Sequence, residues 1–452
     1  MAKKLSSVVG IDIGSRKIKV CEVKTQGKEP VVTALGVADT PEGAVDHGGI
    51  YNDEAVGTAL KTLLASAGVS TKTAVVSIAG QNSVLVRTLE VPRMNPDELR
   101  DHMQWEINRN IPFAESTVVS DFKPLGGDDP NSPNMDVVMA IAPQSAIDTT
   151  ISVLKRAGVQ ATAIDVEPLS MARSMAKSYD DEFGTRTVCL VDMGASSCAI
   201  NIYLGGKLLM PRQIPLGGDM FTKAIGDDQT LPTADAENLK IQRLLIPADA
   251  ATVQTAATNP FDVPGMPTQE FQPFNPFSDV VEPYQAPATA YPANTGYGEG
   301  DPFVSMEDGT PVVDPYAAQS EPPVAETVYA AAPPVEPASM VPAPVPAVDE
   351  ESKRLFRAVA PLLDEFVAEI RRSVDYFRSR GGDVDMIELA GGGCKIPGLA
   401  DFVSQLVGVP CDIYDPLRRL TVNARKVSPD FIDAHRQEFA VAVGNGLHIF
   451  FD

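Results

Sequence analysis

The sequence predicts an α/β fold of two similar domains, and three stretches carry that prediction. The first, Val8-Val9-Gly10-Ile11-Asp12-Ile13-Gly14-Ser15-Arg16-Lys17-Ile18-Lys19-Val20, reads as strand, tight turn, strand. Val8, Val9, Ile11 and Ile13 suit a buried strand, and Gly14 lets the chain turn where a Cβ would obstruct it. The second, Thr187-Val188-Cys189-Leu190-Val191-Asp192-Met193-Gly194-Ala195-Ser196-Ser197, repeats that order, with Ile200 to Tyr203 as its returning strand. The third runs a strand from Met386 into Gly391-Gly392-Gly393 and on through Lys395 and Pro397 into a helix.

A turn with successive inward N–H groups can cradle phosphate oxygens. Asp12 and Asp192 stand just before two such turns, where a carboxylate can hold a hydrated divalent ion. Gly14, Ser15, Gly194 and Ser196 supply donors, and Lys19 can neutralise phosphate charge. Gly391, Gly392 and Gly393 let backbone approach a flat ring or a ribose, with Lys395 beside them. There is no P-loop, because Gly27-Lys28 and Gly206-Lys207 lack the following Ser or Thr. In this order the three stretches resemble the phosphate-1, phosphate-2 and adenosine motifs of the actin, Hsp70 and sugar-kinase ATPase superfamily. The resemblance implies an actin-like (ribonuclease H-like) two-domain ATPase fold, with Mg²⁺ and ATP between the domains.

Taken in order, residues 6 to 37 read as a strand meander. Asp53 to Ala67 has Val56, Leu60, Leu63 and Leu64 at helical spacing, and Thr73 to Ile78 is a strand. Val84 to Val91 alternates like a strand. Asn95-Pro96-Asp97-Glu98 then starts a helix through a capping box with Pro at the first helical position. That helix carries Leu99, Met103 and Trp105, the only tryptophan, and Ile111-Pro112-Phe113 follow. A buried strand from Asp136 to Ala142 and a helix from Ser145 to Ala157 complete an insertion. Val91-Pro92, Glu106, Ile111-Pro112-Phe113 and this strand-helix pair resemble the PilM family of type IV pilus assembly and the related FtsA family, where such an insertion forms a subdomain called 1C. The resemblance implies a partner, the cytoplasmic tail of a PilN-like inner-membrane protein, docked at 1C. Leu99, Met103, Trp105, Pro112 and Phe113 are the candidate contacts, and filling the small core of 1C is the alternative use for all five.

Glu167-Pro168 opens the next helix. In Hsp70-like members a similar acid lies near the metal and the attacking water, which makes Glu167 the catalytic candidate; a helix start favoured by the dipole is the other reading. Gly217-Gly218 before a helix N-terminus favours an anion. Ala236-Glu237-Asn238-Leu239-Lys240 resembles the segment flanking the adenine, with Glu237 and Lys240 as candidates, or else is a solvated helix face. PilM-like and FtsA-like chains often have Thr or Asp where Cys198 and Ala199 stand, a departure that implies at most a slow ATPase.

From residue 247 to 349 the pattern breaks into Pro, Ala and acidic residues, 14 Asp and Glu against no Lys or Arg, and this composition predicts disorder. Asn259-Pro260-Phe261, Asn275-Pro276-Phe277 and Asp301-Pro302-Phe303 recur there, as partner motifs or as drift in a tolerated loop. Order returns at Ser352, where Leu355, Val359, Leu362, Phe366, Ile370 and Val374 mark one face of a long helix. Ala442 to Leu447 resembles the second hinge between the domains. The division is residues 1–85, 161–182 and 441–452 for the first domain, 86–160 for the insertion, and 183–246 and 350–440 for the second domain.

The formal charge of −23 argues against nucleic acid as a partner, and residues 247–349 hold 14 of those charges. Five dispersed cysteines without a CxxC suggest reduced thiols. The start at Met1 lacks an apolar signal core, and no run of about 18 apolar residues exists. The chain is therefore expected in the cytoplasm, reaching the inner membrane through a partner. PilN-like and other pilus inner-membrane proteins, or a second copy of the chain, are the expected partners. An FtsA-like division or cytoskeletal ATPase is one alternative, although such a chain would carry an amphipathic helix after the hinge, for which the residues after Leu447 leave no room. A small-molecule kinase of the same superfamily is the other.

Overall fold

An antiparallel hairpin opens each of two domains, and the rest of each domain is laid against it. The computed structural model describes residues 5–113, 117–126, 132–178, 184–251 and 349–451. In the first domain β1 (Ser7–Ile13), β2 (Lys17–Gln26) and β3 (Glu29–Asp39) form an antiparallel meander. A short ribbon of β4 (Val45–Asp46) and β5 (Gly49–Ile50) leads to α1 (Asp53–Ala67) and to β6 (Thr73–Ile78), parallel to β1. Asn52 caps α1 by accepting from the Ala55 amide, and Gly68 ends it at φ 77°. Val56, Leu60, Leu63 and Leu64 of α1 pack on Val9, Ile11, Val20 and Val76.

The insertion is a three-stranded sheet, order β7-β9-β8, from β7 (Leu85–Pro92), β8 (Val118–Pro124) and β9 (Asn134–Pro143), with α2 (Pro96–Arg109) on it. The capping box is formed, since Asn95 accepts from the Asp97 and Glu98 amides and Glu98 accepts from the Asn95 amide. The insertion is shorter than the 86–160 expected from sequence. Helix α3 (Gln144–Ala157) lays Val153, Leu154 and Ala157 into the core of the first domain, against α1. Gly57 allows that approach, because a Cβ there would stand 2.7 Å from the Arg156 Cβ. Strand β10 (Gln160–Val166) then joins the first sheet beside β6 and runs into α4 (Glu167–Ser178).

The second domain repeats the plan. Strand β11 (Thr187–Met193) pairs antiparallel with β12 (Cys198–Leu204). The strand expected over Lys207 to Pro215 is two, β13 (Lys207–Met210) and β14 (Gln213–Ile214), parted at Pro211, which has no N–H for the ladder. Helices α5 (Gly218–Gln229), α6 (Thr233–Arg243) and α7 (Glu350–Ser379) follow, then β15 (Met386–Ala390), α8 (Leu399–Val407) and β16 (Cys411–Ile413). Leu355, Val359, Phe366, Ile370 and Val374 of α7 are buried on this sheet, order β13-β12-β11-β15-β16. The boundary expected at 247 shifts, because Ile246, Ala250 and Ala251 are in the same core. The rest of the predicted disordered segment, residues 252–348, lies outside the described residues.

The chain returns to the first domain earlier than the expected 441. Strand β17 (Thr421–Val422) pairs with Val31 and Val32 of β3, and Leu417 and Phe439 pack on Leu35. The first sheet thus reads β10-β6-β1-β2-β3-β17. Helices α9 (Pro429–His435) and α10 (Ala440–Gly446) close the described chain, with 3₁₀ turns at Arg436–Phe439 and Leu447–Phe450. The insertion also touches the second domain. Thr88 Oγ1 donates to the Leu209 carbonyl at 2.8 Å, and Lys207 Nζ pairs with Asp136 at 2.7 Å.

The domains join where α4 and α10 cross under β1. The backbones are so close that a Cβ on Gly444 would overlap the Ser170 carbonyl, and one on Gly10 would overlap the Ala442 carbonyl and the Gly446 amide. Asn445 Oδ1 accepts from Ser77 at 2.8 Å and Ser170 at 2.6 Å, while its amide donates to the Ile11 carbonyl at 2.9 Å. Gly10→Ala is therefore expected to destabilise the protein by about 3 kcal/mol, the upper end for overpacking against backbone that cannot yield. Urea unfolding measures it, and an unshifted midpoint would contradict the close crossing.

Candidate functional site

The hairpin turns of the two domains face each other across a cleft of about 390 Å³. Both turns close the same way, Gly14 N–H to Lys17 O at 3.0 Å and Gly194 N–H to Ser197 O at 2.9 Å. Ser15 Oγ and Ser196 Oγ meet across the gap at 2.8 Å. The start of α5 is bound to the second turn, since the Gly218 and Asp219 amides donate to the Gly194 and Ala195 carbonyls, each at 2.9 Å. Gly217 makes this possible, because a Cβ on it would overlap the Ala195 carbonyl. It backs the cleft rather than lining it, and Gly218 is the member of the pair at the surface of the cleft.

Three carboxylates converge below the turns. Asp12 and Lys19 are opposite each other in the β1–β2 register, and Lys19 Nζ pairs with Asp12 Oδ2 at 2.9 Å. In the second hairpin Ala199 occupies the place opposite Asp192, so that acid has no lysine of its own. The Asp192 carboxyl is pushed up to about 7 by burial first, against the pull of Lys19 and with the charges of Asp12 and Glu438 adding to the rise. Glu167, the first residue of α4, is raised well above the ordinary carboxylate range by burial, then by Asp192 and Asp12, with Lys19 opposing. A divalent cation suits this surplus of buried acid over base. Among the described residues no three acid, His or Cys side chains stand close enough to enclose an ion by themselves. Mg²⁺ characteristically takes one or two carboxylates, keeps waters and adds phosphate oxygens, so Asp12 and Asp192 fit as its anchors only together with phosphates.

At the other end the cleft is lined by Glu237, Lys240, Gly392, Gly393 and Lys395. Lys240 Nζ pairs with Glu237 at 2.7 Å and donates to Thr222 Oγ1 at 2.8 Å and the Gly218 carbonyl at 3.0 Å. Gly391 does not line the cleft. It sits at φ 83° where a Cβ would overlap Asp192 Oδ1, so its role is to press the third stretch against the second.

Sequence reasoning missed several lining residues. Ile241 was within reach, because it lies one helical turn from Glu237 on α6 and is exposed at the cleft. Arg16 sits inside the first turn and pairs with Asp219 of α5. Glu438 had no local signal. It arrives on the returning chain to bind His435 and, across the cleft, Lys395. Its carboxyl would be raised by burial, but the hydrogen bonds and charges of His435 and Lys395 outweigh that and bring it to about 2.

The five candidate partner residues separate. Leu99 and Met103 are buried with Val91, Ile107, Val137, Met139 and Ile141 in the core of the insertion, so they offer no contact surface. Phe113 packs on the edge of that cluster, and Pro112 is exposed. Trp105 is 54% exposed, with the Arg109 guanidinium 4.9 Å from its ring.

A family model described as type IV pilus assembly protein PilM matches residues 10–257 and 353–450. Cell division protein FtsA of Bacillus subtilis is 25% identical over 256 residues, 52% of this chain and 57% of its own length. FtsA of Pseudomonas aeruginosa is 27% identical over 260 residues, 52% of this chain and 60% of its own. The chain thus spans little more than half the length of these curated relatives. Among solved structures, a chain of a PilM-PilN type IV pilus biogenesis complex aligns over 99% of both chains with a TM-score of 0.69 at 22% identity, a likeness of fold.

Glu438 gives this geometry a pH test. Its carboxyl falls from an ordinary 4.5 to about 2 on folding, so its contribution is complete above about pH 4.5 and is lost as the pH falls through about 2. Glu438→Gln is expected to cost on the order of 3 kcal/mol at neutral pH, with the gap from wild type narrowing below pH 4.5. Urea midpoints at pH 7 and pH 3 measure it, and an equal gap at both would contradict the ionised pair.

Proposed function

Because the chain belongs to the PilM family of type IV pilus assembly proteins, we propose that it is an ATP-binding, actin-like scaffold on the cytoplasmic side of a pilus machine, held at the inner membrane by the tail of a PilN-like protein. The observation that carries the nucleotide part is the facing pair of like turns, 2.8 Å apart at Ser15 and Ser196, above the half-buried carboxylates of Asp12, Asp192 and Glu167 and one lysine. The turn amides and serines would take the phosphates, Lys19 would balance their charge, and Asp12 and Asp192 would hold Mg²⁺ through water. Mg²⁺ bound there supplies positive charge against the phosphates. Glu237, Lys240, Gly392, Gly393 and Lys395 would border the nucleoside. Glu167 would orient an attacking water in whatever hydrolysis the protein performs.

The partner part rests on the likeness of fold to a chain of a PilM-PilN complex and on the insertion. It is supported by the finding that, among the described residues, no helix is long and apolar enough to cross a membrane. Trp105 and Pro112 are the exposed members of the candidate contact set, and a short apolar peptide has strand addition or groove insertion open to it at the junction of the insertion with the first domain.

Calorimetry with ATP and Mg²⁺ tests the site. Asp12→Ala and Asp192→Ala are each expected to weaken binding by about tenfold or more, the scale found for groups that orient a metal's immediate ligands. Wild-type affinity in both folded variants would overturn the assignment. Titrating a PilN-like N-terminal peptide while following hydrogen exchange tests the partner. Protection at the insertion and its junction is expected, and protection confined to the second domain would reject it.

A further inference from the structure

Ties cross the cleft at both ends, and they differ in burial. At the inner end the Gly391 amide donates to the Gln437 carbonyl at 3.0 Å, the Gln437 side chain returns a bond to the Gly391 carbonyl at 3.1 Å, and Lys395 pairs with Glu438, the two side chains 35% and 6% exposed. At the mouth Arg16 Nε donates to both oxygens of Asp219, at 3.0 and 3.1 Å, with the two side chains 50% and 36% exposed. Breaking a buried pair strands a charge away from water, whereas an exposed pair exchanges its partner for solvent at little cost. A rotation about the crossing of α4 and α10 that begins at the mouth therefore has the more exposed of the two ion pairs to separate.

We propose that the Arg16–Asp219 pair is a latch between the domains that sets how fast a bound nucleotide leaves. The proposal rests on the nucleotide reading of the cleft given above. Arg16 follows Ser15 in the first phosphate turn, and Asp219 is in the first turn of α5, which is bound to the second. The pair thus spans the opening directly over the two turns. Asp219 also supplies a test of sign. An acid beside a phosphate site repels the ligand, so if repulsion were its whole effect, removing its charge would tighten binding and slow release. A latch requires the opposite.

The experiment is a stopped-flow chase of a fluorescent ATP analogue from wild-type and Asp219→Asn protein. An exposed ion pair is worth enough to hasten release by about two- to fivefold in the variant. Arg16→Asp combined with Asp219→Arg should return the rate toward wild type, while each reversal alone is fast. Unchanged or slower release in Asp219→Asn, or no rescue by the double reversal, overturns the latch. A second readout needs no nucleotide. Spin labels at the exposed Lys61 on α1 and Lys223 on α5 should report longer distances in Asp219→Asn than in wild type, and identical distance distributions overturn the latch. If the wild type binds no analogue, the nucleotide reading fails, and the spin-label distances still decide whether the pair holds the cleft shut.

Discussion

Everything in this structure depends on how closely two backbones pass at Gly10, Gly444 and Gly446. Without side chains there, α10 lies against β1 and α4, and α4 in turn packs Met171 and Met175 on Val188 and Leu190 of the second sheet. That contact fixes the angle between the domains, and the angle brings two turns, more than 180 residues apart in sequence, to within one hydrogen bond of each other. Asn445 secures it with a single side chain that answers two serines and the Ile11 carbonyl, one residue from Asp12. The hinge and the start of the site are therefore parts of the same hydrogen-bonded unit, and packing at one is registered at the other.

The second theme is charge. Two hairpins with the same backbone carry different residues opposite their acids, Lys19 in one and Ala199 in the other. A symmetrical arrangement with two lysines would pair both aspartates and leave only Glu167 over. The asymmetric one leaves acid in excess inside a buried space, which is costly for a folded protein unless a ligand brings compensating charge. An excess of this kind, held on rigid strands, is the usual mark of a site built to bind rather than of a pair that merely stabilises.

The actin-like fold was legible because its signals are local. An apolar run, an acid and a glycine within seven residues define a hairpin turn, and the repeat of that pattern told of a second domain. What sequence could not give was which side of a helix faces what. Leu99 and Met103 are partner candidates because their helix belongs to the insertion, yet the same step of four residues continues to Ile107, and such a stripe is the ordinary sign of a core. Trp105 is off that stripe and exposed. Likewise α3 read as part of the insertion because it follows β9 directly, and only the meeting of its apolar stripe with α1 places it in the first domain. Asp219 and Glu438 became visible only when distant segments met.

The contacts of the insertion on the second domain, among them Thr88 with Leu209, Lys207 with Asp136 and Val138 in one apolar cluster with Val188 and Leu208, make the insertion a strut as well as an outgrowth. It is rooted in one domain and rests on the other, so any rotation that parts the domains must shear or break these contacts. Whatever stiffens the strut works against that rotation, and whatever wedges the domains apart loads the strut. By reciprocity the free energy is the same in both directions. The seat of the insertion on the second domain and the aperture of the cleft are therefore two ends of one coupling, in which a ligand at either end that favours one domain angle favours it at the other.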